Sequence, residues 1–199
     1  MLDSFLAQFK NPSLEFIIET IAVISSVMYV ILAAKGKYLC FLFGLISSAL
    51  YLYICLKYKL YFDVIINAFY IIMSIYGWLN WKSNTDLGEL KVSKIRPKTL
   101  LVWIGGGLVL NILLAEFATR FSDASLPYLD AFTTIFAILG TYLVITRKIE
   151  NWLIWIVVDF IASGMYYYKE LYLTSLLFFA YTIVAIFGYF NWKKKLSVD

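Results

Sequence analysis

Ile75-Tyr76-Gly77-Trp78-Leu79-Asn80-Trp81-Lys82 returns, 111 residues later, as Ile186-Phe187-Gly188-Tyr189-Phe190-Asn191-Trp192-Lys193. Isoleucine, glycine and the Asn-Trp-Lys ending stand at identical spacing in both stretches. Toward the N-terminus the register holds without a gap. Leu60-Tyr61 falls on Leu171-Tyr172, Tyr70 on Tyr181, Lys37 on Lys148, Leu32 on Leu143, and acidic Glu19 on acidic Asp130. An internal repeat in a strongly apolar chain points to a transporter, because many are built from repeats with the substrate held near the midplane.

The chain is 62% hydrophobic and only 15% charged, against about 25% charged in soluble domains. It reads as an integral membrane protein. With about 20 residues per span, the apolar runs predict seven helices, at 13–34, 38–56, 60–81, 99–118, 126–146, 150–168 and 170–192. The runs are continuous rather than alternating, which argues against a barrel. Each repeat, 13–82 and 126–193, contains three spans. Three is odd, so one further span at 99–119 returns the chain to its starting side. The expected architecture is therefore an all-α polytopic membrane protein with two parallel three-helix repeats joined by a linker helix, 3+1+3.

Connectors are short and basic, and only 82–98 forms a longer loop. No soluble domain is expected, so an enzyme is not the reading. The net charge of +4 reflects loop lysines beside a membrane rather than a nucleic-acid partner. Twelve Lys and Arg residues fall on one side of the seven spans and five on the other. The richer side is assigned to the cytoplasm, with the N-terminus outside and the C-terminus inside. Residues 1–11 could form a short amphipathic segment on the membrane surface. Cys40 and Cys55 share a helix, about 22 Å apart at 1.5 Å per residue, beyond disulfide reach. With no histidine in the chain, no metal or other cofactor is expected.

Polar groups inside a bilayer are expensive and mark candidate sites. The sixth helix carries Asn151, Trp152, Trp155 and Asp159, the last three at i, i+3 and i+7 on one face. Aromatic rings beside a carboxylate near the membrane centre suit a flat cationic ligand. The competing reading makes Trp152 an interfacial anchor and pairs Asp159 with a neighbouring helix. The matched positions of the first repeat are Phe41, Gly44 and Ser48, where bulk and charge are gone. The third helix adds Asp63, Asn67 and Tyr70 at i, i+4 and i+7. Glu19 and Asp130 read as structural or vestibule acids.

Glu-Asn-Trp-x-x-Trp at 150–155, Tyr-Gly-Trp-x-x-Trp at 76–81, the Leu-Tyr motifs and the 3+1+3 plan resemble the Pnu family of bacterial vitamin transporters. The resemblance implies an inner-membrane facilitator for a cationic vitamin, nicotinamide riboside first and thiamine as the alternative. It further implies a homotrimer, alternating access, and trapping of the substrate by a cytoplasmic phosphorylating kinase. The family's site lies between the repeats, and its helix-six roles fall here on Trp152, Trp155 and Asn151, with the helix-three amide on Asn67. Asp159 departs from the family's nicotinamide riboside carriers, which place asparagine there. An acid disfavours neutral riboflavin, and a similar sequence is found in thiamine-associated members. A membrane scaffold without transport is the remote alternative.

Overall fold

Four tight turns set the path of the chain, and they form two matched pairs. Gly36 (φ 72°) and Arg147 (φ 59°) turn the chain between the first two helices of each repeat, and Lys59 (φ 58°) and Glu170 (φ 60°) between the next two. All four are left-handed, a conformation that costs a non-glycine residue about 1–2 kcal/mol. The turns end helices by handing free carbonyls to following amides. Lys37 N–H donates to Leu32 O and Lys148 N–H to Leu143 O, both at 2.9 Å, and Leu171 N–H to Tyr166 O at 2.9 Å. This is the glycine-type helix stop, kept at Arg147, Lys59 and Glu170 without glycine.

The computed structural model describes residues 13–59, 61–83, 91–121 and 125–196. The candidate surface segment at 1–11 lies outside them. Seven helices are present among the described residues: α1 Leu14–Ala34, α2 Cys40–Lys57, α3 Tyr61–Ser83, α4 Pro97–Phe121, α5 Pro127–Ile145, α6 Glu150–Tyr168 and α7 Tyr172–Lys193. Six of them are long and apolar enough to cross a membrane. The other, α6, has 19 residues, long enough for a span. Asn151, Asp159 and the Tyr166–Tyr168 run dilute its apolar character.

The chain divides into two units, one comprising residues 1–33 and 37–83, the other 34–36 and 84–199. In the first unit Phe41 of α2 meets Trp81 of α3 edge to face at 4.9 Å. The ring fills the space where a side chain on Gly77 would stand. In the second, Trp152 of α6 meets Trp192 of α7 edge to face at 5.5 Å. A Cβ on Gly188 would lie 2.7 Å from the Trp152 ring. Aromatic, glycine and partner tryptophan recur at the repeat spacing, because a glycine is what lets a ring of that size enter between two helices.

The linker helix α4 is not a bare tether. It packs on α5 through Trp103 against Tyr142, with ring centres 5.4 Å apart, and Gly107 lets Phe136 approach. The segment before it is tied down as well. Ser93 N–H donates to Arg147 O at 3.1 Å, Ile149 N–H to Ser93 O at 3.0 Å, and Lys148 Nζ to Ser93 Oγ at 2.9 Å. Part of the expected long loop is thus bonded across the α5–α6 turn. At the other end of the second unit, Lys169 binds both Asp130 oxygens at 3.2 Å. Glu19 has no equivalent pairing because Tyr58 stands where the repeat would require Lys169. Glu15 pairs with Lys57 instead.

Candidate functional site

Helix α6 starts directly after the Arg147 turn, and its first residues are the most buried. Asn151 is 0% exposed and Trp152 2%. Asn151 Nδ2 donates to Lys148 O at 2.5 Å, closing the turn. Its Oδ1 and the Nε1 of Trp152 are buried with no hydrogen-bond partner among the described residues. An orphaned acceptor and an orphaned donor therefore sit on adjacent residues, each an arrangement that costs about 1–3 kcal/mol unless a partner arrives.

The two tryptophans do not form one wall. Trp152 faces α7, against Gly188 and Trp192, whereas Trp155 lies against α5, where a Cβ on Gly140 would be 3.0 Å from its ring. Helical spacing placed both on one face, but each ring is drawn to a different neighbour by the glycine that admits it. The Trp152 ring is committed to packing in this conformation, as Phe41 is in the first unit. Trp155 remains half-buried.

Asp159 is 4% exposed. It has neither an ion pair nor a hydrogen bond among the described residues. The expected alternative, a bond to a neighbouring helix, is not what the structure presents. An ionised carboxylate held out of water without a partner costs several kcal/mol, so the position is suited to a cation that arrives from outside. Ser48, its counterpart on α2, is also buried, at 8%.

The α3 candidates are differently placed. Asn67 Nδ2 donates to Asp63 O at 2.8 Å, four residues back on its own helix. The same Nδ2 also reaches Cys55 Sγ of α2 at 4.0 Å, so the amide is shared between its own helix and a neighbour. The Asp63 side chain is exposed, and Tyr70 is half-buried with Phe69 at 5.6 Å. Glu116 of α4 accepts from Tyr128 Oη. No group of three metal-binding side chains occurs among the described residues.

One feature escaped the sequence reading. In the first unit Tyr29 of α1 lies against Gly44 of α2, with Ser74 Oγ alongside at 3.0 Å from the Cβ position. In the second, the glycine is on α5 (Gly140) and the large ring on α6 (Trp155). Tyr29 and Gly140 are repeat partners, as are Gly44 and Trp155. Large and small have changed helices. Aligning the repeats position by position would have exposed this exchange, since both pairs sit at the common spacing.

A protein named nicotinamide riboside transporter PnuC from Neisseria mucosa is 30% identical over 188 residues, covering 88% of this chain and 71% of that one. The Escherichia coli protein of the same name is 26% identical over 202 residues, covering 88% and 84%. A solved structure, described as the crystal structure of the vitamin B3 transporter PnuC, superimposes with a TM-score of 0.74 at 26% identity, covering 96% of this chain and 86% of that one. The chain is thus similar to multi-pass membrane transporters along nearly its whole length. Residues 16–194 match the family described as nicotinamide mononucleotide transporter, and the chain belongs to that family.

Proposed function

We propose that the protein carries nicotinamide riboside across the bacterial inner membrane by facilitated diffusion. The observation that carries this reading is Asp159, buried at 4% exposure and unpartnered among the described residues. Its carboxylate balances the positive pyridinium ring, and Trp155 supplies an aromatic face beside it. The orphaned Asn151 Oδ1 and Trp152 Nε1 match the donor and acceptor of a carboxamide, once the helix end opens enough to admit one. Ser48, Asn67, Asp63 and Tyr70 are the further residues assigned to substrate binding.

The relatives' names favour the riboside over thiamine. The family description names the mononucleotide, which adds a phosphate that the Asp159 carboxylate repels. Transport proceeds by alternating access, without chemical conversion of the substrate. A cytoplasmic kinase phosphorylates the product and so holds the gradient. The protein works as a homotrimer, with the N-terminus outside and the basic loops in the cytoplasm.

Uptake of labelled nicotinamide riboside into proteoliposomes tests the reading. Saturable uptake is expected, displaced by unlabelled riboside far better than by thiamine or the mononucleotide, and indifferent to sodium or proton gradients. Uptake of thiamine alone overturns the substrate. No uptake of either by folded protein leaves the scaffold reading.

A further inference from the structure

We infer that the second unit carries a lipid site: a groove that holds one acyl chain of an anionic phospholipid, with its phosphate at the basic segment before α4. The groove is a cavity of about 300 Å³ between α4, α5 and α6. Its floor is Phe136, Ile154 and Val158, all under 10% exposed, and its rim includes Leu108, Leu153 and Val157, each 44–47% exposed. The floor is therefore packed protein and the rim is open on the outside of the unit.

Shape decides between occupants. Leu100 to Leu108 on α4, and Glu150 to Val158 on α6, line the groove over nine residues each, about 12 Å of helix. That is most of one leaflet, half of a hydrocarbon core about 30 Å thick. Spread over that length, the volume leaves a section of about 25 Å², which admits an alkyl chain and excludes a helix about 10 Å across.

Charge decides the headgroup. At the Leu100 end Glu150 lines the groove, and its Oε2 accepts from Ile95 N–H at 3.1 Å. That bond brings the flanking residues of the same segment to the mouth, where the Lys94, Arg96 and Lys98 side chains are exposed. Glu150 keeps its single negative charge, so among the described residues at the mouth three cations stand against one carboxylate and the balance is positive. A phosphate at this depth meets cations and the chain below it meets only apolar side chains.

Native mass spectrometry of the full chain, stripped of lipid and titrated with phosphatidylglycerol or phosphatidylcholine of equal chain length, tests the site. Phosphatidylglycerol should be retained at least about fivefold more, the effect of one basic residue at a membrane surface. Lys94→Gln, Arg96→Gln and Lys98→Gln together should erase that preference, and Val157→Trp or Leu108→Trp, each filling the groove from its exposed rim, should lower retention of both lipids. Soluble glycerol 3-phosphate should not compete. Equal retention of the two lipids, indifference to both rim variants in folded protein, or competition by glycerol 3-phosphate overturns the proposal. So does quantitative crosslinking of Leu153→Cys between two copies in liposomes, which would make the groove a protein contact.

Discussion

Phe41 on α2 and Trp152 on α6 make the same contact in their own units, each a ring set into a glycine and turned edge-on to a tryptophan. Seven residues further along, the two helices part company: Ser48 and Asp159 are equally buried, but only one carries charge. Between them, Gly44 and Trp155 have exchanged bulk with α1 and α5. The repeat preserves the packing at the first turns of α2 and α6, which builds a three-helix unit, and varies the residues near mid-helix. Structural and ligand-binding roles on α6 can therefore be separated by asking which positions the other repeat duplicates.

The largest expected effect tests the duplicated part. Trp152→Ala and Phe41→Ala should each cost about 3–5 kcal/mol of stability, the range for large buried aromatics, read from thermal unfolding in detergent. If Trp152→Ala is mild while Phe41→Ala is severe, the two contacts are not equivalent. A smaller effect concerns the exchanged pair. Gly140→Ala should destabilise by about 1–3 kcal/mol through overpacking against Trp155. Trp155→Phe should recover part of that loss in the double variant, because residues in contact are coupled. Simple additivity would mean that Gly140 is not there to admit the ring. Trp155→Ala should in addition weaken riboside binding by about 1–2 kcal/mol, measured by titration. The smallest effect falls at the opposite end of the second unit: Lys169→Ala should cost under about 1 kcal/mol, since its pair with Asp130 is partly exposed.

Much of this was legible before the structure. The repeat spacing carries the helix count and the places where equivalent helices stop, but not the left-handed turns there, since Lys59, Arg147 and Glu170 adopt them without glycine. What periodicity could not supply was the direction of each ring. Trp152 and Trp155 are three residues apart, and a helix wedged between two neighbours can send such residues to opposite sides. The fate of Asn67 was hidden for a related reason: a half-buried amide can donate to its own helix as well as to a neighbour, a solution that leaves no trace in spacing. The packing of α4 on α5 was also invisible, since α4 has no repeat partner against which to read Trp103 or Gly107.

The central claim is that the charge found only in the second repeat recognises the ligand. Titration calorimetry of nicotinamide riboside with the wild-type protein and with Asp159→Asn tests it most directly. The account predicts at least about tenfold weaker binding, about 1.4 kcal/mol, with an unfolding midpoint no lower than wild type, since the substitution removes a buried charge that has no partner among the described residues to lose. Unchanged affinity in folded protein would contradict it.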